Sequence, residues 1–191
     1  MARLAVFASG NGSNFQAIAE AVRKTGHSLE FLLCNKQSAY VIERARLLDI
    51  PVYLVSYLDK TREAVEREIL DYTRRHHIDL IALAGYMKLL TPFFLSSFTG
   101  DILNVHPSLL PKYAGVNAIE RSYRGGDPEL GISVIKIDNG VDTGPVLFQT
   151  SFKREPAATL EQVEAKIHEL EHTHFPVVII RELDNRDKRN R

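Results

Sequence analysis

The sequence has no tryptophan and a single cysteine, Cys34. One thiol cannot build an internal disulfide framework or a Cys-rich zinc site, and it suits a reducing compartment, so the expected location is the cytoplasm. Net charge is missing as well, because 24 Lys and Arg are balanced by 24 Asp and Glu among 191 residues. A chain without an overall positive field is not built to gather nucleic acid or an anionic bilayer, so any anion it binds must be held locally. No apolar run approaches the roughly 18 residues of a membrane span. The N-terminus lacks a basic stretch followed by a long apolar one, so export is not expected either. Repeats, low-complexity tracts and Pro/Gly/Ser-rich linkers are absent, which predicts one domain over residues 1–180 and a short, charged, solvated tail at 181–191.

What remains is an ordinary folded composition, 45% apolar and 25% charged, far from the polar, highly charged corner where chains stay disordered. Apolar blocks recur at 4–8, 28–35, 51–55 and 79–85, separated by segments of helical period. Residues 59–76 place Val65, Ile69 and Tyr72 on one face among Lys, Arg and Glu, as a helix covering a sheet does. Strands that alternate with helices predict an open, mostly parallel, doubly wound α/β sheet with helices on both faces. Beyond residue 100 the pattern predicts a strand at about 101–105, a helix near 115–124, strands near 131–138 and 144–152, and a closing helix near 158–173.

Open parallel sheets bind ligands beyond the carboxyl ends of their strands. Three predicted strand ends carry chemistry: 9–14, 104–115 and 138–145. In the first, Ser9-Gly10-Asn11-Gly12-Ser13-Asn14 leads from a strand into a helix whose apolar face begins with Phe15, Ile18 and Ala19. Free backbone N–H groups and the positive end of the helix dipole would meet there, which suits a phosphate. Without a third glycine or Gly-Lys-Ser/Thr, the turn is neither a dinucleotide fingerprint nor a P-loop. A plain turn capped by Ser13 or Asn14 reads equally well from these residues.

In the second, Asn104 and His106 alternate around Val105 and so point to one side of a strand, and Pro107 stiffens the backbone after the histidine. The third, Asp138 to Pro145, brings Asp142 in a turn with two glycines. If Asp142 reaches His106, the three form an acyl-transfer set: an amide donor for an oxyanion, an imidazole acid/base and a carboxylate that holds the imidazolium. No nucleophile stands among them, so the set suits direct attack by a substrate amine. Satisfied polar groups in loops are the bland alternative.

These segments, with LAGYMKLLTP at 83–92 and GVDTGPV at 140–146, resemble the phosphoribosylglycinamide formyltransferases of purine synthesis over about residues 1–180, in matching order and spacing. The resemblance implies formyl transfer from 10-formyltetrahydrofolate to the amine of glycinamide ribonucleotide, with Asn104, His106 and Asp142 catalytic. It also implies that Gly12, Ser13 and Asn14 hold the phosphate, that Glu171 binds the ribose, and that Met87, Leu90, Val141 and Asp142 contact the folate. The partners it implies are these two small molecules, without metal, nucleic acid or membrane. The sequence departs from the family pattern at Asn117, Ile119 and Ile135, where histidines are usual. These substitutions, with the run 118–131, lean toward the methionyl-tRNA formyltransferases, so another acceptor amine, such as that of an amino sugar nucleotide, is the runner-up. A non-catalytic nucleotide- or folate-binding module is the alternative of a different class, and the presence of all three catalytic residue types speaks against it.

Two motifs point elsewhere. His168-Glu169-Leu170-Glu171-His172 matches H-E-x-x-H, yet the extended metzincin motif fails at Phe175 and only Glu182 offers a third ligand, so zinc is not expected. Asp142-Thr143-Gly144 spells the aspartic-protease triplet, whose chemistry needs two such loops in β-rich lobes rather than alternating β and α.

Overall fold

The computed structural model describes residues 1–189. Its first five strands are β1 (Arg3–Ala8), β2 (Ser28–Cys34), β3 (Val52–Leu54), β4 (Leu80–Leu83) and β5 (Asp101–His106), followed by β6 (Glu129–Lys136) and β7 (Val146–Lys153). They form one sheet in the order β3-β2-β1-β4-β5-β6-β7. The first five are mutually parallel, while β6 runs antiparallel to β5 and β7 antiparallel to β6. The helices are α1 (Ser13–Val22), α2 (Val41–Leu47), α3 (Arg62–Arg75), α4 (Pro92–Ser97), α5 (Ala118–Arg124) and α6 (Leu160–Arg189).

Strand β1 shows why the sheet is covered on both sides. Leu4, Val6 and Ala8 point into one apolar layer with Phe15 and Ile18 of α1 and Ile167, Phe175 and Ile179 of α6. Ala5 and Phe7 point into the other, with Val65 and Ile69 of α3 and Phe94 of α4. A strand buried on both faces reads as a continuous apolar run, as LAVFA does. The strand order reverses between β1 and β4, which makes the gap beyond their carboxyl ends the expected ligand crevice.

The structure departs from expectation at three places. Helix α4 was not anticipated; Thr91 starts it by accepting a hydrogen bond from the Phe94 N–H, with Pro92 in the first turn. The closing helix does not stop near 173, and residues 181–189 are not a solvated tail. It passes through Pro176, which is buried, and keeps inserting apolar groups as far as Leu183. Its charged end is tied to the amino edge of the sheet. Asp184 meets His27 at 3.0 Å, Arg186 donates to the Thr99 carbonyl, Arg189 lies 3.5 Å from Asp101, and Asp187 pairs with the N-terminal ammonium. Residues 190–191 lie outside the described part.

The third departure is the direction of β6. Because it is antiparallel, the 138–145 turn does not emerge at the carboxyl edge. Lys136 pairs with Leu103, and the Ile137 N–H donates to the Ile102 carbonyl at 2.8 Å. The turn therefore leaves the sheet level with the middle of β5 and must fold back over its face.

Candidate active site

Asn104 and His106 project from the face of β5 that also carries Ile102, beside the α3/α4 layer. The returning turn brings Asp142 onto them. One carboxylate oxygen, Oδ2, lies 3.2 Å from His106 Nδ1 and accepts the Gly115 N–H at 2.9 Å; the other accepts from Asn104 Nδ2 at 3.5 Å. His106 Nε2 lies 3.0 Å from the Tyr113 carbonyl. Both ring nitrogens thus face acceptors, and the doubly protonated ring can donate to both at once. The His106 and Asp142 side chains are almost wholly buried, at 6% and 12% exposure, which strengthens the pairing relative to water.

The turn holds itself together. Asp138 Oδ1 accepts from the Gly140 N–H at 2.9 Å and the Thr143 hydroxyl at 2.8 Å. The two glycines were read as places of sharp reversal, but the left-handed residue is Asp142 itself, with φ 55°. Asp tolerates that region better than most side chains. Gly144 is required for a different reason, since a Cβ there would lie 1.8 Å from the Lys136 carbonyl oxygen. The loop after β5 is fixed by polar contacts: buried Ser133 on β6 accepts the Leu110 N–H and donates to the Ser108 carbonyl, and Gln149 on β7 donates to Ser133 and to the Leu110 carbonyl.

At the other end of the crevice, Gly12 is the N-cap of α1 with φ 80°, and no side chain caps the helix. The alternative cap by Ser13 or Asn14 is not made, so no side chain covers the first-turn N–H groups. A Cβ on Gly12 would meet Val41 Cγ2 at 2.3 Å, so glycine is needed there for packing against α2 as well as for its dihedral angle. Asn14 donates to Glu171 Oε2 at 2.9 Å, and the same oxygen lies 3.0 Å from His168 Nδ1. Glu171 is 4% exposed. Its hydrogen bond holds the His168 imidazole above its ordinary pKa, while burial pushes that of His172 down. Asn14 Oδ1 and His172 Nε2 are buried beside this network without protein partners. Such atoms mark a place where a ligand or water completes the bonding.

The structure thus joins Asn104 to His106 and Asp142, and Asn14 to Glu171. Met87 and Val141 stand exposed on their loops, at 71% and 49%, and Leu90 packs on the α3/α4 layer. The departures from the family pattern serve structure: Ile135 is fully buried opposite Asn104 on β6, Asn117 is the left-handed N-cap of α5, and Ile119 packs on the core. The imidazoles of His168 and His172 are near parallel with centroids 6.3 Å apart, and no group of three or more metal-ligating side chains is assembled among the described residues. No helix of the described part is long and apolar enough to cross a membrane.

Residues 2–179 match the model of the formyl transferase family. The chain belongs to that family. This formyl transferase is 43% identical over 184 residues to the phosphoribosylglycinamide formyltransferase of Bacillus subtilis, covering 94% of this chain and 93% of that protein. The crystal structure of glycinamide ribonucleotide transformylase 1 from Geobacillus kaustophilus superposes with a TM-score of 0.88 at 44% identity, over 93% of this chain and 96% of that one. The phosphoribosylglycinamide formyltransferase structure from Streptococcus pneumoniae gives 0.87 at 39% identity, over 94% and 97%. The sequence motifs found the same family, and with it the α/β fold. Sequence reasoning missed Ser9, Glu66 and Arg44, which build the loops of this formyl transferase; Ser9, as a hydroxyl inside the glycine turn, was the one with a visible signal.

Proposed function

We propose that this chain transfers the formyl group of 10-formyltetrahydrofolate to the amine of glycinamide ribonucleotide, a step of de novo purine synthesis. The observation that carries the reading is the convergence of two donors, Asn104 Nδ2 and His106 Nδ1, on one anionic group, the Asp142 carboxylate. Donors aimed in advance at negative charge are what an acyl-transfer transition state needs. When the amine attacks the formyl carbon, the carbonyl oxygen becomes an oxyanion beside the Asn104 amide and the His106 imidazole. As the new C–N bond forms and the bond to the folate nitrogen breaks, the proton lost by the amine passes through water and Asp142 to the leaving nitrogen. No step requires a Lewis acid or a covalent enzyme intermediate.

The ribonucleotide fits the other end. Open N–H groups at the start of α1, the dipole and the half-exposed His168, whose pKa the Glu171 hydrogen bond raises, suit a phosphate, whereas the Glu171 carboxylate and the lone acceptor Asn14 Oδ1 suit the hydroxyls of a ribose. Met87, Leu90 and Val141 supply apolar surface for the folate. The near full-length relatives named for this acceptor support it over another amine, and the structural roles of Asn117, Ile119 and Ile135 remove the reason to prefer one. Buried, unbridged Cys34 fits work in the cytoplasm. The test is spectrophotometric consumption of 10-formyltetrahydrofolate with a panel of amines. Turnover with glycinamide ribonucleotide well above all others is expected; preference for another amine rejects the acceptor, and no turnover with any rejects the activity.

A further inference from the structure

The buried carboxyl groups divide by use. Glu171 serves the ribonucleotide end, and Asp101 meets Lys136 and Arg189. Glu66, on α3, is 1% exposed and has no part in the reaction above. Burying a carboxyl group costs stability unless donors meet it. Here the donors come from one residue: Thr91 gives its N–H to Glu66 Oε1 at 2.9 Å and its hydroxyl hydrogen to Oε2, with Arg62 Nε 3.7 Å away.

Thr91 is where the segment after β4 ends and α4 begins. The segment's other end is fixed by Ser9, whose Oγ accepts the Met87 N–H at 2.9 Å and donates to Asn35 at 2.6 Å, while the Ser9 N–H donates to the Gly85 carbonyl. Residues 87–91 are therefore strung between two hydroxyls. One belongs to the ribonucleotide turn and the other is seated by Glu66. Between these anchors Met87, Lys88 and Leu89 are exposed, with the Lys88 ammonium over the Tyr57 ring, 5.0 Å from its centroid.

We propose that Glu66 is a positioning residue for the formyl donor: it seats Thr91 and so fixes the path of residues 87–90, whose near end Ser9 ties to the ribonucleotide turn. The inference rests on the reading that this segment contacts the folate. Glutamine at 66 keeps an acceptor for only one of the two Thr91 donors and loses the negative charge, so the distal anchor of the segment is weakened.

Steady-state kinetics of the full chain, with each substrate varied in turn, test this through Glu66→Gln, Thr91→Val and Thr91→Ser. Glu66→Gln and Thr91→Val are expected to raise KM for 10-formyltetrahydrofolate by roughly tenfold and to leave the ribonucleotide KM within about twofold, with Thr91→Ser close to wild type. Amide exchange should quicken at residues 85–91 in Glu66→Gln while β1 and β4 keep their protection. Unchanged donor KM in both variants, or donor and ribonucleotide KM rising together with exchange faster everywhere, overturns the proposal. If Glu66→Gln fails to fold, the Thr91 pair decides the matter alone. A wild-type chain that consumes no donor refutes the functional reading instead, and the exchange data then decide whether Glu66 fixes the segment.

Discussion

The two ends of the crevice are built by opposite means. The glycine turn before α1 is gripped from outside: the Val41 N–H donates to the Gly10 carbonyl at 3.1 Å, the Val41 side chain fills the space where a Gly12 Cβ would lie, and Arg44 donates to both the backbone and side-chain oxygens of Asn11 at 2.9 Å. Val41 and Arg44 are one helical turn apart on α2, so a single short helix buttresses the whole turn. The turn that carries Asp142 is held by its own Asp138 and by contact with the residues it serves. On the proposed reading the first turn recognises with backbone and must be rigid along its length. The second delivers one side chain, Asp142, and its Asp138 and Gly144 serve to hold that residue in place.

The largest effects are expected where the chemistry converges. His106→Ala should lower turnover by roughly 10²–10⁴ with ribonucleotide affinity retained, because it removes an acid/base group and not the anion site. Asn104→Ala should lower kcat by roughly 10²–10³ through the lost oxyanion donor. Turnover of His106→Ala within about tenfold of wild type, or an Asn104→Ala effect confined to KM, would break the division between a chemical end and a binding end.

Gly12→Val sharpens the comparison at the other end. The side chain collides with Val41 and forces a β-branched residue to positive φ, so stability should fall by about 2–4 kcal/mol along with ribonucleotide affinity. Folate binding should be largely spared. Adding Val41→Ala should recover part of the stability, since it relieves the collision and leaves the dihedral strain. Unchanged ribonucleotide affinity by calorimetry would remove this turn from the site.

How far the sequence carried follows the same division. The cluster of Asn104, His106 and Asp142 was legible because an i, i+2 pair on a strand and an acidic turn are local patterns, and so were the strands, whose two-sided burial shows as apolar runs. The direction of β6 was not, because a buried strand such as Leu130 to Ile135 reads the same in either direction. Nor was the length of α6, which runs through Pro176 because Phe175, Val178, Ile179 and Leu183 hold the helix on the sheet past it. The buttress of Val41 and Arg44, like the seat of Thr91 on Glu66, joins residues 25 or more positions apart. No local spacing encodes such a contact. The reason for Gly12 was half legible: the sequence suggested room for an anion, and the structure adds the neighbour behind it.

Asp142 separates side chain from backbone within its turn. Asp142→Asn keeps a residue suited to φ 55° but loses the carboxylate, whereas Asp142→Ala loses both. Both should lose most activity, and Ala should cost about 1 kcal/mol more stability than Asn. Equal thermal midpoints for the two variants would mean that the left-handed position is not a constraint on this turn.

The smallest effects belong to the two histidines of α6, which the structure sets in opposition. The hydrogen bond that His168 donates to Glu171 raises the His168 pKa, so its stabilising contribution is complete below about pH 6.5 and fades as the pH rises through the raised value. His172 is lowered by burial first, and by the nearby His168 and Arg44, against the opposing pull of Glu171. Its neutral form is the one that fits, so its contribution is complete above about pH 6.5 and is lost as the pH falls through the lowered value. The thermal-midpoint difference between wild type and His168→Gln should therefore shrink from acid to alkaline pH, while the difference for His172→Gln grows. Because His168 is half exposed, its slope should be shallow and should flatten further in salt. The ribonucleotide KM should climb over the same interval in which His168 loses its proton, and His168→Gln should abolish that climb. Parallel pH curves for the two variants would show that the ribonucleotide end, unlike the catalytic end, takes nothing from the charge state of its imidazoles.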